Sequence, residues 1–131
     1  MEKQISTYID LKPTIMDDFY KVLSDETRLR CLTLIFENDG ICVCELIHAL
    51  ELPQSKISRH LSIIRLNGLI NQKRKGQWVF YSVNPELSNF KKNIITISIE
   101  ELKNSDPYKG DKLRLNNMVN KPPINKGMKC V

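Results

Sequence analysis

From Leu52 to Pro85 this chain has no aspartate and no glutamate, although the 131 residues contain 15 of them. Six bases fall in the same stretch: Lys56, Arg59, Arg65, Lys73, Arg74 and Lys75. Residues 1–51, by contrast, carry ten acids and five bases. The formal net charge of +5 is therefore unevenly placed, which predicts one cationic face rather than a generally sticky surface. Solvated faces ordinarily mix both signs. A face without acids suits a polyanion, and a duplex phosphate backbone is the partner that fits.

Other absences narrow the class. No run of about 18 apolar residues occurs, so no membrane-spanning helix is expected. The start, Met1-Glu-Lys-Gln-Ile-Ser6, has no apolar signal core, and a cytoplasmic location is the expectation. The four cysteines form no Cys-x-x-Cys zinc framework. In a reducing compartment they are ligands, sensors or core residues rather than disulfides. No repeat is present. At 41% hydrophobic, the length predicts a single domain over 12–104. Residues 105–131, with two acids, six bases and many Asn, Lys and Pro, are expected to form a basic tail without order.

Within the domain, residues 14–23 predict a helix with Ile15, Phe19, Val22 and Leu23 on one face. Ser24 is the expected cap of the next helix, with Asp25 and Glu26 at its positive end. That helix carries Leu29, Leu32, Ile35 and Phe36 inward and stops at Gly40. A third helix is predicted over Val43 to Leu50, burying Leu46, Ile47 and Leu50. After a break at Leu52-Pro53, a fourth runs from Gln54 to Asn67 with Ile57, Leu61 and Ile64 inward, and Gly68 stops it. Two short helices on so tight a turn form a helix-turn-helix. Alternation over Trp78–Val83 predicts a strand, and Lys75-Gly76 the tip of a basic hairpin. A last helix, Pro85 to Lys103, contains Ile94-Ile-Thr-Ile-Ser-Ile99, which propensity alone would make a strand. Its apolar spacing is helical, and that decides for helix.

The second helix of such a unit turns its N-terminal half to the major groove. Here that half offers Gln54, Ser55, Lys56, Ser58, Arg59 and His60. Gln pairs bidentately with adenine and Arg with guanine. His60 has a second reading, as a helix residue bonded within the protein. Lys73, Arg74 and Lys75 on the hairpin suit phosphate or minor-groove contact. Just upstream stands Cys42-Val-Cys44, a pair of soft donors. Cys31 lies on an inward stripe and reads as core.

Together these residues resemble a known family. Asp25-Glu-Thr-Arg-Leu29, Cys42-Val-Cys-Glu-Leu46, Gln54-Ser-Lys-Ile-Ser-Arg-His-Leu61, Gly68-Leu69 and Arg74-Lys-Gly-Gln-Trp-Val-Phe-Tyr81 are similar to the ArsR/SmtB family of winged-helix repressors. The likeness spans about 15–100 and is greatest to its arsenical-resistance operon repressors of enterobacterial type. It implies a mainly α fold with a small β-hairpin wing and about five helices. It also implies a homodimer on a palindromic operator that leaves the DNA when a metalloid binds, with no cofactor needed for DNA binding. The dimer is expected to form through the last helix, with Phe90, Ile94 and Ile97 exposed for it.

As(III) or Sb(III) on Cys42 and Cys44 is the expected inducer, since thiolates are the softest protein ligands. The family's pattern has a third cysteine three residues after the second, where this chain has Ile47. Water, a small thiol or Cys130 is then left as third ligand. In a regular helix positions i and i+2 diverge by about 200°, so capture of one ion is expected to distort the first turn of the third helix. Family members that sense zinc or nickel use His and carboxylates on the last helix, and no His follows His60 here. Alternatives are oxidation or persulfide formation on the same thiols, or a thiol oxidoreductase, which would need an activated cysteine.

Overall fold

The computed structural model describes residues 12–122, with side chains from Asp18 onward. The Ile15 side chain and Cys130 lie outside the described residues. Six helices and three short strands follow in the order α1 (Lys12–Leu23), α2 (Glu26–Glu37), β1 (Ile41–Cys42), α3 (Val43–Leu50), α4 (Gln54–Leu66), β2 (Ile70–Lys75), β3 (Trp78–Val83), α5 (Asn89–Leu102) and α6 (Tyr108–Asn116). The antiparallel sheet has the order β1-β3-β2. This is a winged helix-turn-helix, with α3 and α4 as the two helices and β2–β3 as the wing.

Phe19, Leu32, Leu34, Ile35, Leu46, Leu50, Ile57, Leu61, Ile64 and Leu69 form one buried core with Ile95 and Ile99. Each such apolar side chain contributes roughly 1.5–3 kcal/mol. The inward residues of α4, Ile57, Leu61 and Ile64, are fully buried and fix which face of that helix remains outside. Gly40 and Gly68 adopt φ values of 78° and 80°, a left-handed region that favours glycine as a helix stop.

Several details differ from the sequence reading. Asp25, not Ser24, caps α2: its carboxylate accepts from the Arg28 N–H at 3.1 Å, while the Ser24 hydroxyl donates to the Lys21 carbonyl. Ile41–Cys42 is a strand, paired Ile41 with Tyr81 and Cys42 with Phe80. Its two residues are too few for an alternation signal. The wing turns at Gly76-Gln77, one residue later than expected, because Lys75 still pairs with Trp78.

The largest difference is α6, which makes six helices where about five were expected and places order inside the stretch read as a disordered tail over 105–131. Tyr108, Asp111 and Leu115 are buried, an i, i+3, i+7 stripe laid against α3. Composition hides it, because the middle residue of the stripe is a charge.

Candidate nucleic-acid interface and thiol site

With Ile57, Leu61 and Ile64 inward, Gln54, Ser55, Lys56 and Arg59 are exposed and Ser58 half-buried along the outer side of α4. Pro53, in an extended conformation, is the residue before the helix, and the turn from α3 is only Glu51-Leu52-Pro53. Glu51 takes a left-handed φ of 56° there. Lys73, Arg74 and Lys75 are exposed on β2. Among the described residues, none of Lys56, Arg59, Lys73, Arg74 and Lys75 is paired with a carboxylate. Unneutralised cations on a helix and a neighbouring hairpin can follow a phosphate backbone.

His60 does not join that face. It is 4% exposed, with Nδ1 3.3 Å from the Arg28 guanidinium and 3.9 Å from the Asp25 carboxylate. Burial, and beyond it the nearby cations, lowers its pKa despite Asp25. It ties α4 to the start of α2 and so departs from the expectation that placed it on the exposed side of α4. The cause is angular: His60 lies three residues after Ile57 and four before Ile64, and so falls on their buried side of the helix.

The thiol pair is built on a helix cap. Cys42, the last residue of β1, is the N-cap of α3, extended at φ −84° and ψ 150°. Its N–H donates to Oε1 of Glu45 at 2.9 Å, while its side chain faces the Glu45 N–H. This is a capping box with sulfur in the usual place of a hydroxyl oxygen. Because Cys42 precedes the helix, the divergence of about 200° expected of helical i and i+2 positions does not apply. The Cys44 thiol donates to the Cys42 sulfur across 3.0 Å. The two donors already meet.

That contact separates the two thiols electrostatically. The bond from Cys44 lowers the Cys42 thiol to about 7, against its burial and with help from the backbone N–H groups of Cys44 and Glu45. The same bond, then burial, raises Cys44. Burial raises the Glu45 carboxyl, partly offset by the Cys42 N–H that it accepts. Cys42 is fully buried and Cys44 partly exposed. Cys31 is a core residue, 0% exposed, its thiol pushed up to about 12 by burial. Among the described residues, no group of three or more His, Cys, Asp or Glu is arranged to hold a metal.

The other end of α3 is held as well. The Leu50 carbonyl accepts from Arg30 at 3.1 Å and the Ala49 carbonyl from Arg114 of α6 at 2.7 Å. Both arginines are gripped by Asp111, with Arg30 at 2.8 and 2.7 Å and Arg114 at 2.9 Å. The sequence reading missed Glu45 and this clamp. The Cys42-x-x-Glu45 spacing was the available signal for the first; Asp111 and Arg114, three apart, offered a faint one for the second.

Residues 25–72 match the model of the bacterial regulatory protein arsR family. Over 105 residues the chain is 44% identical to the arsenic resistance transcriptional regulator ArsR2 of Pseudomonas putida, covering 80% of this chain and 90% of that protein. The chain belongs to the arsR family. Its resemblance to the arsenical resistance operon repressor of Escherichia coli is 42% over 76 residues, 58% of this chain and 65% of that one. Among solved structures, HlyU from Vibrio cholerae N16961 superposes with a TM-score of 0.62 at 30% identity, covering 72% of this chain and 98% of that one. As an arsR-family member the protein is a DNA-binding transcriptional regulator and not an enzyme. None of the described helices is long and apolar enough to cross a membrane.

Proposed function

We propose that this regulator is a metalloid-responsive repressor, bound to operator DNA as a homodimer in the cytoplasm and released when As(III) or Sb(III) binds Cys42 and Cys44. The observation that carries the reading is the 3.0 Å contact between two thiols at the start of α3, a soft, bidentate donor set. The names of the relatives, arsenic and arsenical resistance regulators, agree with it. The cadmium resistance regulator CadC of Listeria innocua, 30% identical over 84 residues, supports response to a soft metal ion and does not bear on the choice of metalloid.

The coupling follows from where Cys42 sits. Its sulfur has no exposed surface and touches its partner, so an ion shared by both must lie outside the pair. Cys42 must then turn out of its cap, giving up the Glu45 box. Two DNA-contacting elements depend on that residue. It is hydrogen-bonded through β1 to the wing strand β3 and begins the helix that packs on α4. Distortion there misaligns the groove-facing helix and the wing together, a coupling of two sites through one element. The decisive experiment titrates the operator complex with arsenite, antimonite, cadmium, zinc and peroxide in parallel. Release by arsenite or antimonite at the lowest concentration is expected. Release by peroxide alone would replace this reading with oxidation of the thiols.

Arg59 and Lys75 have separable expected roles. Arg59→Ala should cost roughly 1–3 kcal/mol at one operator position, whereas Lys75→Ala should weaken all sequences alike and flatten the salt dependence. Binding to operator variants across a salt series reads both; if Arg59→Ala alters only the salt slope, base reading belongs to another residue.

The dimer is proposed to form through α5. Ile95 and Ile99 face the core, which leaves Phe90 50% and Ile97 67% exposed, with Ile94 half-buried between them. This stripe suits a two-fold contact that would place two reading helices on two half-sites. Ile97→Glu should give a monomer in sedimentation and lower operator affinity by about 100-fold or more, the scale of lost bivalency. A dimer that survives both Ile97→Glu and Phe90→Asp would move the interface elsewhere.

A further inference from the structure

We infer that Arg114 is a positioning residue for DNA reading: through it, α6 fixes the angle at which α4 leaves α3. This rests on α4 being the groove-facing helix.

The last four carbonyls of a helix have no donor within it, and at the end of α3 two of them are met from outside. Ala49 accepts from Nε of Arg114 at 2.7 Å and Leu50 from Arg30 at 3.1 Å. Both guanidiniums are held by one carboxylate, that of Asp111, which is 1% exposed. A planar fork between fixed acceptors has little freedom, so the end of α3 takes its position from α6 and α2 together. Gly110 agrees with that assignment. Glycine inside a helix is unfavourable relative to alanine, but a Cβ there would stand 3.2 Å from an Arg114 guanidinium nitrogen. The glycine leaves room for the guanidinium. Arg114 also lies 3.8 Å from the Glu51 carboxylate, 68% exposed. A pair so open to solvent contributes little, which leaves the Ala49 bond as the contact that matters.

What α3 fixes, α4 inherits. Only Glu51-Leu52-Pro53 separates the two helices, and two of the three have little freedom. Glu51 is left-handed, and the Pro53 ring sets its φ at −64°. Farther along, His60 binds α4 to Arg28 of α2. The groove-facing residues from Gln54 to Arg59 thus lie between two anchors, the clamped turn and His60. With the turn released, α4 is left to pivot on His60. Gln54 stands roughly 9 Å from His60 along the axis, so a tilt of about 10° moves it by about 1.6 Å, beyond the roughly 0.5 Å within which a binding site must be held.

The test compares a duplex that the wild type selects from a random pool with a scrambled duplex of equal length. Binding is measured across a salt series at a temperature where every variant is folded. Arg114→Ala is expected to fold, since Asp111 keeps Arg30. It should bind the selected duplex about tenfold more weakly, the scale of one misplaced base contact, with scrambled-duplex affinity and salt slope unchanged. Arg114→Lys keeps the charge without the fork and should lose the same discrimination. Hydrogen exchange at the Glu51 N–H, which donates to the Ile47 carbonyl in the wild type, should quicken in both variants. A lower melting temperature with discrimination intact, or exchange at Glu51 that keeps the wild-type rate, would overturn the inference and leave α6 a stabilising element alone. Rescue by lysine would overturn it by assigning the effect to charge. Weaker binding of the scrambled duplex would overturn it by making Arg114 a phosphate contact. Arg59→Ala runs alongside: discrimination unaltered in that variant too would overturn α4 as the reading helix, and this inference with it.

Discussion

The Cys42→Ser/Cys44→Ser variant should hold its operator as the wild type does and fail to leave it at any arsenite concentration that releases the wild type. Retained binding follows from the cap. Serine is among the preferred N-cap residues, and Glu45 already stands three positions on with its carboxylate on the Cys42 N–H. A hydroxyl in place of the Cys42 thiol would therefore complete an ordinary capping box. A cap of this kind contributes about 0.5–2 kcal/mol, enough to keep the first turn of α3 in place. Lost release follows from ligand chemistry, since a hydroxyl is a poor donor to a soft ion. Removing a merely supporting partner of a metal ligand costs roughly 10–100-fold in affinity. Removing both ligands should exceed that. Gel-shift titration with arsenite measures both halves of the claim; a double variant released at wild-type concentrations would place the site elsewhere. Cys31→Ser is the control, because it puts a hydroxyl in the core and should lower stability without selectively altering release.

Asp111→Ala should lower stability by about 3 kcal/mol, the largest effect expected of any charged residue in the fold. Asp111 is 1% exposed and Arg30 12%. Removing the carboxylate leaves the Arg30 guanidinium desolvated and unpaired, a change that costs roughly 3–5 kcal/mol in buried sites. The lower end applies because Arg114, 34% exposed, can turn to water. For a domain of this size the loss corresponds to a fall in melting temperature of roughly 10–20 °C. Thermal unfolding of the variant measures it. A fall equivalent to less than about 1 kcal/mol, the worth of a surface pair, would show that α6 is held by its apolar residues alone.

What could be read from the sequence was governed by periodicity and by motif spacing. Ile57, Leu61 and Ile64 placed α4 and its outer face, and the acid-free stretch marked the surface that carries the cations. The isoleucine-rich run of α5 was legible against its own β propensity, because Leu87, Phe90, Ile94 and Ile97 recur at alternating three- and four-residue intervals, a helical spacing that a strand does not share. Three features escaped for three reasons. The spacing of His60 from Ile57 and Ile64 placed it inward, but a polar ring reads as an outward residue until its partner Arg28, 32 positions away, is known. The approach of the two thiols depends on Cys42 ending a two-residue strand paired with Phe80, a pairing too short to show as an alternation in sequence. Helix α6 is held by an ion cluster whose members, Arg30 and Asp111, lie 81 positions apart, and no local window contains both.

In the proposed mechanism the burial of the Cys42 sulfur sets a threshold as well as a geometry. A ligand that can be captured only after the first turn of α3 opens has an apparent affinity equal to the intrinsic one scaled by the fraction of molecules open at any moment. With Cys42 as a ligand, the protein's sensitivity to its signal is thus partly a property of one helical turn. Substitutions that tighten or loosen the Glu45 cap would retune the dose at which transcription begins, with both sulfur ligands untouched.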